Sequence, residues 1–151
     1  MRMIVALLLL LLLAACGGGA IEPAAPATAV PATAVPAATA APILALETAT
    51  LPLGDVPNGD IVARDVVVRN TGGAPLVVES VITSCGCTTA TLDPMTIPPN
   101  ATATLHITFD AGAHGPDLRG ELLRQVTLLS NDPAQPEATV ELTANITDPG
   151  S

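Results

Sequence analysis

Lysine is absent from this chain of 151 residues, and Phe109 is its only aromatic side chain. Five basic residues, all of them arginine, stand against fourteen acidic ones, which gives a formal net charge of −9 at pH 7. Proteins that bind nucleic acids use clustered Lys and Arg against the phosphates and aromatic rings against the bases. This composition therefore excludes a nucleic-acid partner, and it leaves aliphatic side chains as the material for a hydrophobic core.

The motifs of common hydrolytic and phosphate-binding sites are also missing. The two histidines form no His-Glu-x-x-His motif, and neither a Gly-x-Ser-x-Gly elbow nor a phosphate-cradling glycine loop occurs. We therefore expect no catalytic residues of these kinds and no enzyme activity other than thiol redox chemistry, and the sequence identifies no small-molecule substrate.

The longest apolar run, 4–13, is too short for a membrane-spanning helix, which needs about 20 residues. It follows the single charge of Arg2 and precedes the small residues Ala14 and Ala15. A charged start, a short apolar run and a small-residue cleavage site are typical of a secretory signal. Residues 1–15 are therefore predicted to be a signal peptide.

Leu13-Ala14-Ala15-Cys16 resembles a bacterial lipobox, in which the cysteine is lipid-modified and becomes the first residue of the mature protein. Each buried methylene contributes about 0.8 kcal/mol, and more than one acyl chain is needed for stable attachment to a membrane. The resemblance predicts that Cys16 carries such chains, palmitate among them. The protein would then be extracytoplasmic and anchored to a cell membrane, inner or outer. The alternative is an ordinary signal followed by an incidental cysteine.

After its cysteine, the stretch 16–42 contains little besides Ala, Pro, Thr and Gly, and residues 27–31 repeat at once as 32–36. Prolines spaced this closely prevent a helix, and nothing in the stretch alternates like a strand. We predict a disordered tether, which reaches about 3.1 Å per residue where it is polyproline-like.

The remaining stretch, 43–151, consists of short apolar segments separated by turn residues, with no amphipathic helix pattern. The clearest alternation of apolar and polar residues runs from 103 to 109. Strands are predicted at 61–69, 75–84, 103–109, 122–129 and 138–146, with turns at 55–60 and 98–100 and a hairpin-type turn at 70–73. Short strands at this spacing predict an all-β domain, a β-sandwich of about seven strands.

Cys85-Gly86-Cys87 ends one predicted strand and holds the two cysteines of the folded domain. In a regular strand, residues two apart lie about 6–7 Å from each other, whereas a disulfide needs Cβ atoms about 4 Å apart. Cys85 and Cys87 can therefore form a disulfide only if the backbone kinks at Gly86, and an exported location permits the oxidation. Packing of two free thiols is the simpler structural alternative.

Two thiolates from one short loop also suit a soft ion such as copper(I), or half of a zinc site. Met95, His106 and His114 are the candidates for further ligands. A solvated position on the polar face of its strand is the simpler interpretation of His106, and an ordinary polar loop position is that of His114. No other cofactor is expected.

Thiol–disulfide exchange is a third interpretation of the same pair. A reactive thiol needs a nearby cation or a helix N-terminus to lower its pKa. The nearest charges in the sequence, Glu79 and Asp93, are negative, and the spacing is not Cys-x-x-Cys. The sequence therefore offers no activating group for exchange.

Several motifs, in this order, resemble a bacterial family of domains of unknown function, numbered fifteen-seventy-three. They are Val66-Val67-Val68-Arg69-Asn70-Thr71-Gly72, Pro75-Leu76-Val77-Val78, Ser84-Cys85-Gly86-Cys87-Thr88, Ile97-Pro98-Pro99-Asn100, Thr108-Phe109-Asp110 and Ser130-Asn131-Asp132. Asn100 stands where the family has a glycine. The resemblance covers 51–146 and implies an immunoglobulin-like sandwich related to the hydin-type modules, which mostly serve protein contacts. It implies no established activity.

We therefore expect a lipid-anchored protein of the cell envelope that presents one β-sandwich for binding or scaffolding of protein partners. Metal handling through Cys85 and Cys87 is the alternative from another functional class, and thiol–disulfide exchange is the third.

Overall fold

The computed structural model describes residues 40–150, and in this range the regular secondary structure is β-strand only. The predicted signal peptide, Cys16 and nearly all of the predicted tether lie outside the described residues. Residues 40–150 contain no helix that is long and apolar enough to cross a membrane. The nine strands of this range are β1 (Leu44–Leu46), β2 (Thr50–Pro57), β3 (Ile61–Asn70), β4 (Leu76–Thr83), β5 (Thr88–Asp93), β6 (Thr96–Ile97), β7 (Thr102–Asp110), β8 (Gly120–Ser130) and β9 (Glu137–Thr147).

These strands form two sheets that enclose one core. The four-stranded sheet has the order β1-β3-β7-β5, and the five-stranded sheet has the order β2-β9-β8-β4-β6. β2 runs parallel to β9, while the other neighbours are antiparallel. The predicted β-sandwich is confirmed. It has more strands than the predicted seven because β1 and β6, with three and two residues, are too short to give a pattern in the sequence.

Every second residue of the strands fills the space between the sheets. On β7 the buried positions run from Ala103 to Phe109, and on β9 they run from Ala138 to Ile146, as the alternation predicted. Phe109 is only 1% exposed and lies among Val, Leu, Ile and Ala side chains. The aliphatic core expected from the composition is confirmed.

The predicted hairpin turn at 70–73 is wrong, because the strands on either side of it, β3 and β4, belong to different sheets. The chain crosses between the sheets here, and the buried side chain of Asn70 holds the crossing. Its Nδ2 donates to the carbonyl oxygens of Ala74 (2.8 Å) and Ile97 (2.9 Å), and its Oδ1 accepts from the N–H of Gly72 at 2.9 Å. A buried amide needs such hydrogen-bond partners. The bonds that Asn70 makes hold the chain in its crossing to the other sheet, whereas a hairpin would return it along β3.

Asn100 has a φ of 61° and is the only non-glycine residue of 40–150 with a positive φ. The left-handed region is open to glycine and, after glycine, most readily to asparagine. The backbone N–H of Asn100 donates to the carbonyl oxygen of Asn70 at 2.9 Å. An asparagine at this position is therefore compatible with the left-handed turn.

A buried carboxylate, Asp132, joins the first strand to the turn between β8 and β9. It is 2% exposed and accepts the backbone N–H groups of Leu44 (2.8 Å), Ala134 (2.8 Å) and Gln135 (3.2 Å). Burial by itself raises the pKa of Asp132, but these donors stabilise the charged form, and the net pKa lies below the ordinary value of 3.8. Because Leu44 belongs to the four-stranded sheet, the carboxylate ties the two sheets together.

Asp132→Asn is expected to lower the free energy of unfolding at pH 7 by about 1–3 kcal/mol, because the amide NH₂ cannot accept the N–H groups that the carboxylate accepts. A carboxyl whose pKa is lowered by folding stabilises the protein above its unfolded pKa, about 3.9, and this stabilisation is lost as the pH falls through the lower folded value. Urea unfolding followed by circular dichroism measures both effects. The difference between the wild type and the variant should shrink below about pH 4. A difference that stays constant on acidification would contradict the assignment.

Candidate functional site

Three crossings between the sheets meet at one end of the sandwich, which we call the crossover end. They are the β2–β3 turn at 58–60, the β4–β5 segment at 84–87 and the β7–β8 loop at 111–119. β2 continues to Pro57 beside β9, so the turn predicted at 55–60 begins later than expected. Ile61 at the start of β3 pairs with Asp110 at the end of β7, and Asp110 donates its N–H to the carbonyl oxygen of Cys87 at 2.8 Å.

A β-bulge in β4 decides which face Cys85 and Cys87 occupy. The pairing of β4 with β8 shifts just after Val78, so the inward positions change there from even to odd residue numbers. Val78 is buried before the shift, and Val81 packs against the core after it. The odd positions that follow place both cysteines against the core, with Gly86 exposed between them.

The sulfur atoms of Cys85 and Cys87 are joined in a disulfide. The chain turns here, since the two Cα atoms are 5.3 Å apart and the N–H of Thr88 donates back to the carbonyl oxygen of Cys85 at 3.4 Å. The expected kink is present, but it does not rest on glycine. Gly86 is not in the left-handed region, and a Cβ at this position would meet no atom within 4 Å outside Gly86 and its two neighbouring cysteines. What Gly86 leaves is open space beside the disulfide.

A cation lies against this disulfide, in contrast to the negative charges that are nearest in the sequence. Arg124 lies in the same inward register of β8 as Leu122 and Val126 and is half-buried. Its Nε–H donates to Cys87 Sγ at 3.2 Å. The expectation that no activating charge is present is therefore wrong for the folded chain. The sequence does contain a signal for this cation, because Arg124 is a charged residue at an inward position of a strand.

His114 reaches the same site from the β7–β8 loop. Its Nε2 lies 3.4 Å from Nη2 of Arg124, which can only donate, so Nε2 is the accepting nitrogen. The loop is held by Asn58, whose Nδ2 donates to the carbonyl oxygens of Gly115 (2.9 Å) and Leu118 (3.0 Å). Asn58 is thus a positioning residue of the site, although the sequence pattern indicated only a turn.

Of the candidate metal ligands, Cys85, Cys87 and His114 come together, with one donor atom of each within 4.8 Å of the others. A disulfide sulfur is not a thiolate, so this donor set fits a soft ion only after reduction. Binding of copper or zinc therefore stays a prediction for the reduced chain.

The other two candidate ligands lie elsewhere. His106 is on the outer face of β7, where its Nδ1 is 2.7 Å from Oδ1 of Asp65. Met95 precedes β6, and its carbonyl oxygen accepts the N–H of Val78 near the start of β4. The cysteines follow the opposite end of β4, about 16 Å or more along the strand from that contact.

Reduction of the disulfide is expected to leave the domain folded. A bond that closes a loop of three residues contributes about 1.6 kcal/mol through chain entropy, against the ~5–15 kcal/mol that stabilises a typical domain. Urea unfolding with and without dithiothreitol measures the difference in stability, and loss of the folded baseline on reduction would contradict this expectation.

The metal hypothesis is tested on the same reduced protein. Its bound copper and zinc are measured and compared with those of the Cys85→Ser variant. Absence of thiol-dependent metal would end that hypothesis.

Several solved structures share this fold. A protein of unknown function from Porphyromonas gingivalis is 25% identical with a TM-score of 0.62, and the similarity covers 74% of this chain and 51% of that one. The chain thus spans about half the length of that protein. The VesB protease of Vibrio cholerae is 14% identical (TM-score 0.55, covering 68% and 31%), and the PapD-like domain 7 of human CEP192 is 9% identical (0.54, covering 70% and 85%). These two likenesses show the fold alone.

No curated protein matches the chain in sequence. Residues 44–146, however, match the profile of a domain family whose description is "Protein of unknown function (DUF1573)". The matched range contains the disulfide, Arg124 and His114, and it covers more than half of the chain. The chain therefore belongs to the DUF1573 family.

Proposed function

We propose that this chain is a lipid-anchored protein of the bacterial envelope whose β-sandwich binds other envelope proteins. The predicted signal peptide, the lipobox cysteine Cys16 and the proline-rich tether support export, anchoring and reach. The immunoglobulin-like fold is consistent with a non-catalytic binding role. The observation that carries the proposal is an edge strand, β5, that is open to pairing.

β5 differs from the other edge strands of the sandwich. It pairs with β7 on one side, and no other strand of residues 40–150 pairs with it. The remaining edges are short or irregular, because β1 and β6 have three and two residues, and β2 has a register shift between Pro52 and Gly54. Prolines and irregularities protect an edge from pairing, and β5 contains neither.

The hydrogen-bond pattern shows which backbone groups of β5 face outward. The carbonyl oxygen of Cys87 accepts from Asp110 of β7, so Cys87 and every second residue after it face β7. Ala90 and Leu92 therefore direct their backbone groups away from β7, whereas the N–H of Thr88 already donates to the carbonyl oxygen of Cys85. An extended protein segment fits this edge, because main-chain hydrogen bonds supply the affinity when a strand is added.

Ala90→Pro is expected to weaken partner binding while leaving the sandwich folded. Proline removes the outward N–H of residue 90 and no hydrogen bond to β7, and edge strands tolerate proline where the N–H faces outward. Ala90→Ser is the matched control, because it changes the side chain and keeps the N–H. Envelope proteins cross-linked to each immobilised variant are compared by mass spectrometry. The expected loss is about tenfold for the proline variant alone, and equal retention by both variants would contradict the use of β5.

The membrane anchor is tested separately. Cys16→Ala is expected to move the chain from the membrane fraction to the soluble fraction and to end the incorporation of labelled palmitate, because the acyl chains need this cysteine. Cys85→Ala serves as the control for a cysteine outside the lipobox and should keep both properties. If the Cys16→Ala variant still incorporates labelled palmitate and still sediments with the membrane fraction, lipid anchoring at Cys16 is contradicted.

A further inference from the structure

The two sulfurs of the disulfide differ in access. Cys87 is only 3% exposed, whereas Cys85 is half-buried. Gly86 between them is exposed, and no atom of any residue other than Gly86 and the two cysteines lies within 4 Å of the place where its Cβ would stand. A thiolate that approaches from solution therefore reaches Cys85 Sγ before it reaches Cys87 Sγ.

The less accessible sulfur is the one that faces a cation. Nε–H of Arg124 donates to Cys87 Sγ at 3.2 Å, and the guanidinium is oriented by further contacts with the carbonyl oxygen of Leu123 (2.7 Å) and with His114 Nε2 (3.4 Å). Neither ion pair found within residues 40–150 includes Arg124. Its positive charge is therefore available to negative charge that develops on Cys87 Sγ.

The segment that carries the disulfide is held by bonds that do not involve the sulfurs. The backbone N–H of Ser84 donates to the carbonyl oxygen of Gln125 at 2.9 Å, and the N–H of Gln125 donates to the hydroxyl of Ser84 at 2.9 Å. On the other side, Asp110 donates to the carbonyl oxygen of Cys87 at 2.8 Å. The S–S bond can therefore open while both ends of the turn remain attached to the two sheets.

We propose that Cys85–Cys87 is an exchange-active disulfide that oxidises a pair of thiols on another exported protein. A thiolate of the partner attacks Cys85 Sγ and forms a mixed disulfide. The Cys85–Cys87 bond breaks, and its electron pair goes to Cys87 Sγ beside Arg124. The partner's second thiol loses its proton to solvent and attacks the partner sulfur of the mixed disulfide, which releases Cys85 as a thiolate. The partner leaves as a disulfide, and the chain keeps two reduced sulfurs.

This activity does not depend on strand pairing at β5 or on the lipid anchor. A small dithiol such as dithiothreitol undergoes the same two steps, so it serves as the probe in place of an unidentified protein. Loss of exchange would leave the binding proposal standing, and loss of binding by Ala90→Pro would leave exchange standing.

Two single-cysteine variants test the direction of attack. In the full chain with Cys16→Ser, Cys87→Ser leaves only the thiol of Cys85, and Cys85→Ser leaves only that of Cys87. A chromogenic aryl disulfide, dithiobis(nitrobenzoate), is expected to label Cys85 about tenfold faster than Cys87, because only Cys85 is open to solution. In urea the two labelling rates should become equal, and the total label incorporated there gives the number of free thiols. Equal rates in the folded chains would overturn the proposed attack on Cys85.

A second experiment tests the role of Arg124 as a positioning residue for charge. The disulfide of Arg124→Met is expected to be reduced by dithiothreitol about tenfold more slowly than that of the wild type, at one fixed pH, because the leaving sulfur loses its cation. Arg124→Lys should restore most of the rate. Arg64→Met is the matched control. The exposed guanidinium of Arg64 donates to the carbonyl oxygen of its neighbour Ala63 (2.8 Å), and this variant should leave the rate unchanged. Alkylation followed by mass spectrometry counts the reduced sulfurs.

The outcomes separate a chemical role from a structural one. If Arg124 only supports packing, Arg124→Met will lower the urea midpoint of unfolding without slowing reduction, and that result would overturn the proposal. Arg124→Gln, which keeps a donor without the charge, replaces the methionine variant if the latter does not fold. A rate for this variant equal to that of the wild type would likewise overturn it.

Discussion

The two sheets pack through alternate residues of their strands. The parity of a strand, meaning whether its even-numbered or its odd-numbered residues point inward, therefore decides which side chains reach the core. A single bulge in β4 changes this parity after Val78. Without it, the odd-numbered residues that follow would point to solvent, because a shift of one residue moves every side chain to the other face. With it, Cys85 and Cys87 lie on the core side, where Cys87 Sγ meets the guanidinium of Arg124 at 3.2 Å. The chemistry of the disulfide therefore rests on one irregularity in one strand.

The polar side chains at the two ends of the sandwich serve different roles. At the end away from the disulfide, buried polar side chains hold the chain where it passes between the sheets, with Asn70 joining three segments and Asp132 fixing the start of β1. Hydrogen-bond satisfaction explains these residues without reference to an activity. At the crossover end, Asn58 performs a similar structural task for the loop of His114. There the result is a site with a cation, an imidazole and a disulfide in contact.

Membership of the DUF1573 family establishes what kind of domain this is and leaves its activity to be argued from the site. The proposed binding edge and the proposed exchange site are neighbours, since β5 begins at Thr88, directly after Cys87. A protein segment paired with β5 would thus lie beside the disulfide, with the exposed Gly86 leaving space for its side chains. Proximity of this kind would present a partner thiol to Cys85 without any enclosed pocket.

The sequence by itself determined the fold class, the strands of the core and the place of the Cys-Gly-Cys turn, because periodicity and turn residues act over a few neighbouring positions. It indicated that every second residue of β7 and β9 is buried, and both patterns hold. Only the tertiary structure decided that β3 and β4 belong to different sheets and that Asn58 supports the loop of His114. It also decided the charge beside the disulfide, because Arg124 lies 37 residues from Cys87 along the chain. Contacts of this kind depend on strand register and on where the chain crosses between sheets, and local periodicity specifies neither.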